Sequence, residues 1–206
     1  REVGIEKVAK TATDFGLGER SGIDIPGEEK GVVPTPEWKM KRFNQKWLPG
    51  DLVNMSIGQG YVLTTPLQVL MVYQGIANKG VMYKPTVVDK FVSFDGKVEN
   101  KEPEVLRKLP FKPENIEIMR EALKEPVNKP GGTARILYFP NIPVSAKTGT
   151  AQNTGFKVHH SWLAGSFPSD NPEIVFISLV EGGGYGGVAS GDLVRKFIIK
   201  YNEKYN

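Results

Sequence analysis

Cysteine is absent from all 206 residues. That excludes disulfides, thiolate nucleophiles and cysteine-based zinc sites at once, while leaving the compartment open. Histidine is nearly absent: His159 and His160 are the only two. Neighbours on a strand point to opposite faces, so an adjacent pair makes a poor metal site, and no metal or other cofactor is expected. Long hydrophobic runs are missing too. The longest, around Val69–Tyr73, is too short to cross a bilayer. The chain opens Arg-Glu-Val-Gly, without Met and without the pattern of a signal peptide, so a piece of something longer is expected. Strong charge of either sign is also lacking. The 27 Lys and Arg against 23 Asp and Glu leave +4. Lys39, Lys41, Arg42, Lys46, Lys196 and Lys200 are mixed with acids. They read as solvated faces first and as a surface for an acidic partner second; a nucleic-acid stripe is not expected.

What is present is ordinary for a folded domain: 39% hydrophobic and 24% charged residues. The length suits one domain. Ile5, Val8, Ala9, Ala12 and Phe15 recur at helical spacing over 3–15. A turn-rich stretch, 18–36, follows and is expected to lie over a packed body. A short helix is predicted at 36–43, behind Thr35 with Pro36 at its first position. Residues 51–60 read as a strand ending in a Gly-rich turn. Thr65, Pro66 and Gln68 form a capping signature for a helix to about Asn78. That helix is apolar nearly all round, hence buried. Short strands and turns are predicted over 82–110, with Asp95-Gly96 as a hairpin, then a helix at 113–125 stopped by Pro126 and loop over 127–143.

Strands are predicted at 144–151, 160–167 and 173–181. Their links are too short for parallel crossovers, so they form an antiparallel meander. The third is almost wholly apolar and reads as buried on both faces. Helices must then cover both sides of the sheet, one of them the C-terminal helix at about 188–203. The fold class is α/β of the α+β type, an antiparallel sheet sandwiched between helices.

Lys147-Thr148-Gly149-Thr150 ends the first of these strands. A strand edge can align an extended peptide as an added strand. The Lys ammonium sets a positive field, Gly149 admits a close backbone, and Thr hydroxyls can bind a carboxylate. Strict alternation puts Lys147 and Gly149 on one face and Thr148 and Thr150 on the other. All four serve one cleft only if it runs along the strand's edge. Lys-Thr-Gly is one of three motifs of the serine penicillin-recognising enzymes.

The chain resembles the transpeptidase domain of class B penicillin-binding proteins, most of all the elongation-specific, penicillin-binding protein 2 type. The resemblance is carried by FGLGERSGIDIPGE (15–28), PTPEWKMKRFNQKWLPGD (34–51), SIGQGYVLTTPLQ (56–68), GIANKG (75–80), GGTA (131–134), AKTGTAQ (146–152), the pair His160 and Trp162, and NPEI (171–174). It implies a penicillin-binding/β-lactamase-like fold. It also implies a D,D-transpeptidase that cross-links peptidoglycan stem peptides through an acyl-serine intermediate and is acylated by β-lactams. Lys147 matches the family's catalytic lysine of the third motif. Thr148, Gly149, Thr150, Ala151 and Gln152 match the substrate-binding strand, with the N–H of Ala151 or Thr150 as half of an oxyanion hole. His160 and Trp162 are candidates for lining the cleft. A place on the extracytoplasmic face of the bacterial inner membrane, an N-terminal anchor outside this chain, and cell-wall elongation partners are implied by family only.

The family's other two motifs are Ser-x-x-Lys and Ser-x-Asn/Asp. None of the nine serines has Lys three residues on. Ser169-Asp170-Asn171 mimics the second motif but lies in a turn after the third. Residues 1–206 are therefore expected to be the C-terminal portion of one transpeptidase domain, incomplete at its N-terminus and unable to acylate alone. The alternative is a non-catalytic β-lactam-sensing or cell-wall-complex interaction module. Gly182–Gly187 reads as a turn of close backbone approach rather than a phosphate loop, since no Gly-Lys-Ser/Thr follows. Gln59 and Gly60 are expected to buttress the site rather than react.

Overall fold

The computed structural model describes residues 3–152 and 158–205. The N-terminal half is helical: α1 (Gly4–Asp14), α2 (Pro36–Phe43), α3 (Pro49–Ser56) and α4 (Pro66–Ala77). Then come β1 (Val81–Tyr83), β2 (Lys90–Val92), β3 (Val98–Asn100) and β4 (Val105–Lys108), followed by α5 (Pro113–Ala122) and the single turn α6 (Glu125–Asn128). A 3-10 turn at Arg135–Leu137 leads into β5 (Ser145–Ala151), β6 (His160–Phe167), β7 (Ile174–Val180) and α7 (Ala189–Tyr205).

The central sheet is the antiparallel meander β5-β6-β7, with β5 at one edge. Helices flank both faces. On one, α7 and the 3-10 turn close a core of Leu137, Val144, Ala146, Leu163, Phe167, Phe176, Val194 and Ile198. On the other lies α4, against β6 and β7. Its capping box forms as the sequence predicts: Thr65 Oγ1 accepts from the Gln68 N–H, and Gln68 Oε1 accepts from the Thr65 N–H. From Leu67 to Ala77 no residue is exposed. A second core of Met71, Met82, Leu109 and Ile116 joins α4 to β1, β4 and α5. The Asp95-Gly96 turn joins β2 to β3, whose six residues are all exposed.

Three readings are corrected. Residues 49–56 form helix α3, not a strand. Pro49 starts it, and the Asp51 carboxylate accepts from the Leu48 N–H. Residues 127–143 are not all loop, and Pro126 opens α6 because the first turn of a helix tolerates proline. The third strand is mostly half-buried, only Phe176 being buried outright, because it is an edge strand with part of its faces near solvent.

The long stretch between α1 and α2 is held by side chains rather than by regular pairing. Gln68 is 2% exposed. Its Nε2 donates to the carbonyls of Glu19 and Lys30, at 2.7 and 2.8 Å. Val32 and Leu63 form a lone antiparallel bridge beside it. A Cβ on Gly31 would stand 2.1 Å from the Leu63 carbonyl, so only glycine fits. Asp24 accepts from Thr86, from the Val87 N–H and from Lys101, which hold its pKa well below the ordinary carboxylate value. Glu28 folds back on the N–H groups of Ser21 and Gly22.

Gln68→Ala is expected to lower stability by about 2 kcal/mol, because two part-buried carbonyls and an N–H lose their partner. Urea unfolding checks it: the midpoint falls while the slope stays constant.

Candidate active site

Backbone geometry along β5 decides what this strand can do. The Ala146 N–H leaves the sheet and donates to the Leu123 carbonyl, 2.9 Å away. In an antiparallel strand each residue's N–H and C=O point the same way, and alternate residues point oppositely. Thr148 and Thr150 therefore turn their backbone groups to the open edge, as Ala146 does. Lys147, Gly149 and Ala151 pair inward with Ala164, Trp162 and His160. Two carbonyls of the open edge are occupied by the chain itself. Lys147 Nζ donates to the Thr148 carbonyl at 2.8 Å, and Gln59 Nε2 to that of Thr150 at 3.3 Å. Each of these carbonyls keeps a second lone pair, so the edge offers acceptors as well as donors, the N–H groups of Thr148 and Thr150 and the Lys147 ammonium. Of the two oxyanion candidates named above, only the Thr150 N–H faces the edge; that of Ala151 faces the sheet.

The side chains alternate as expected. Lys147, exposed, and Gly149 lie on the α4 face, while Thr148 and Thr150, half-buried, lie on the α7 face. A Cβ on Gly149 would stand 3.2 Å from Trp162 Cβ, directly across the ladder. Ala151 is half-buried and Gln152 exposed. His160 is half-buried, and its Nδ1 accepts from the Gly182 N–H at 3.1 Å. That ring thus anchors the β7–α7 connection. His159 Nδ1 and Trp47 Nε1 are buried with no hydrogen-bond partner among the described residues.

The Gly-rich connection crosses the back of β5. The Gly186 N–H donates to Thr150 Oγ1 at 3.2 Å. A Cβ at Gly186 would lie 2.2 Å from the Gly149 carbonyl and 2.6 Å from that of Trp162. Beneath it, Ser161 and Ser190, both wholly buried, exchange hydrogen bonds, and Ser161 Oγ also donates to the Tyr185 carbonyl. The close approach foreseen for Gly182–Gly187 is present. The specific brace on Thr150 is not readable from local sequence, since the two residues are 36 apart.

In the second-motif mimic, Ser169-Asp170-Asn171, the Ser169 N–H donates to the Pro143 carbonyl, ahead of β5. Asp170 pairs with Lys124 at 2.7 Å, and its carbonyl accepts from Arg120. Among the described residues no group of three or more His, Asp or Glu side chains is placed to hold a metal ion.

The penicillin binding protein transpeptidase domain matches over residues 1–198. The chain belongs to this family. Peptidoglycan D,D-transpeptidase MrdA of Escherichia coli K12 is 31% identical over 96% of the chain and 33% of its own length. Penicillin-binding protein PbpB of Mycobacterium tuberculosis is 31% identical over 85% and 26%. Among solved structures, the Helicobacter pylori PBP2–MreC complex matches with TM-score 0.81 and 32% identity, covering 100% of this chain and 37% of that one. Pseudomonas aeruginosa PBP2 bound to WCK 5153 gives 0.81 and 27%, covering 97% and 43%. The chain thus spans about a quarter to a third of the length of these curated relatives.

In this member of the family, α2 and α3 meet through a buried ion pair. Lys39, 2% exposed, reaches Asp51 Oδ2 at 2.6 Å. Burial pushes the Asp51 carboxyl up. The hydrogen bonds from Lys39 and the Leu48 N–H, with the Lys39 charge, outweigh it, so the pKa stands below the ordinary value. A carboxylate depressed in the folded state stabilises fully above its unfolded value, near 4, and loses that contribution as pH falls through the folded value. Asp51→Asn is expected to lose that acid-side dependence, and Lys39→Met to cost about 3 kcal/mol. Unfolding followed from pH 7 down to the acid limb checks both.

Proposed function

We propose that the chain is the substrate-aligning part of a peptidoglycan D,D-transpeptidase of the elongation type. The observation that carries the reading is the open edge of β5, where Thr148 and Thr150 turn their backbone groups outward. A stem peptide ending in a carboxylate can lie along that edge as an added strand. The hydroxyls of Thr148 and Thr150 then receive the carboxylate, with Gly186 keeping Thr150 Oγ1 in place as an acceptor whose own proton stays available. The Thr150 N–H meets the scissile carbonyl oxygen as negative charge develops there. Gly149, with no side chain, leaves room on the α4 face for the peptide.

The nucleophile is a serine supplied by the longer protein. Its Oγ bonds to the carbonyl carbon, the C–N bond to the terminal residue breaks, and the leaving amine takes a proton. A second stem's amine then attacks the ester and the serine recovers its proton. Lys147 supplies positive field to the nucleophile and the carboxylate. β-Lactams follow the first half of this course. The proposed setting is the outer face of the bacterial inner membrane, alongside elongation proteins. The solved relative in complex with MreC supports that reading.

The missing Ser-x-x-Lys motif favours one other reading, a non-catalytic β-lactam-sensing or interaction module. Two experiments separate them. The 206-residue chain is expected to show no stoichiometric labelling by a fluorescent penicillin; labelling would mean that the nucleophile lies within it. In the full-length protein, Lys147→Ala is expected to slow penicillin acylation on the order of 10²–10³-fold. Thr150→Val is expected to slow it roughly tenfold. A full-length protein that never acylates sinks the enzyme reading.

A further inference from the structure

Three exposed cations of α2 and the loop after it, Lys41, Arg42 and Lys46, are not used by the strand-edge chemistry. Among the described residues none of them pairs with a carboxylate. The Asp51 carboxylate is held by Lys39. The three flank an aromatic cluster. The rings of Trp38, Phe43 and Tyr61 stand 5.3–5.5 Å apart. Phe43 is 44% exposed, with Met40 and Leu48 also exposed beside it in the chain. The chain leads from this cluster to the strand edge. Tyr61 is two residues past Gln59, whose side chain holds the Thr150 carbonyl.

We propose that this patch docks the glycan of the peptidoglycan substrate, with its stem carboxylates. The proposal rests on the transpeptidase reading above and adds a second site to it. Amino-sugar rings present apolar C–H faces, which pack on aromatic faces. Stem peptides carry carboxylates, which meet Lys41, Arg42 and Lys46 in water. The mixture of chemistries decides among occupants. A dry protein contact would desolvate three unpaired cations at a cost, whereas a hydrated anionic glycan leaves them solvated. The two-residue step from Tyr61 to Gln59, which bonds the strand edge, favours the polymer to which that peptide is attached over a lipid surface.

The test uses the full-length protein and soluble, uncross-linked glycan strands with intact stem peptides. Binding is followed by tryptophan fluorescence at two salt concentrations. Comparison probes are the same strands with stems removed, polyglutamate, and vesicles of anionic phospholipid. Intact strands are expected to bind best and more weakly at high salt. Phe43→Ala is expected to weaken binding about threefold to tenfold, and the double variant Arg42→Ala/Lys46→Ala by a similar factor. Circular dichroism should not change in either; the melting temperature should not change in the double variant and should fall by only a few degrees in Phe43→Ala, which loses two ring contacts. Lys147→Ala separates the two readings: glycan affinity that survives it belongs to the patch. Affinity lost with Lys147 but untouched by the patch variants overturns the patch and leaves the transpeptidase reading standing. Equal binding to polyglutamate or to vesicles also overturns it, by reducing it to charge. So does indifference to all the patch variants, as when other residues of the full-length protein cover this surface.

Discussion

Along β5 the backbone hydrogen bonds alternate between the sheet and the open edge, and much of the molecule is arranged around that alternation. Inward bonds from Lys147, Gly149 and Ala151 fix the register with β6. That register sends Ala146 into the core under α7 and leaves Lys147 exposed on the other face. A slip of one residue would exchange the faces of every side chain. It would also turn the Thr148 and Thr150 N–H groups into the sheet. The bond from Ala146 to Leu123, at the N-terminal end, and that from Gln59 to Thr150, at the other, guard against such a slip. Between those ends the edge is left open.

Elements with local signals are legible in the sequence. The α4 capping box, the Asp95-Gly96 hairpin and the β5-β6-β7 meander each follow from residues close together in the chain. Residues 49–56 misled because the signal for helix α3 stands upstream of the β-branched stretch that suggested a strand. Pro49 and Asp51 outweigh Val53 and the Gly-rich tail that follows. The site was legible as a motif but not as a geometry. Lys147-Thr148-Gly149-Thr150 names the strand, yet which N–H groups face outward depends on Leu123. The occupied Thr150 carbonyl depends on Gln59, 91 residues away. Pairings of that kind leave no trace in spacing.

Gln68 shows how one residue can serve two levels of structure. Its backbone N–H and side-chain oxygen start α4, and its side-chain amide closes the long stretch between α1 and α2 onto that helix. The sequence pattern reveals only the first task, because capping is local and the second is not. Lys39 and Asp51 do the same for α2 and α3. Asp51 caps its own helix while neutralising a buried ammonium. The helical half of the chain is thus joined to itself by a few polar side chains, whereas the sheet half is joined by apolar packing.

Gly186 has a consequence for substitution. Its φ is not among the left-handed values, so nothing in its own backbone demands glycine. The demand comes from two carbonyl oxygens pressed against the space a side chain would fill. There is therefore little freedom behind the strand: any enlargement there would press on the Gly149 and Trp162 carbonyls and bend the edge of β5. Change in side-chain size is freer at the front, along the open edge, where Lys147 is exposed.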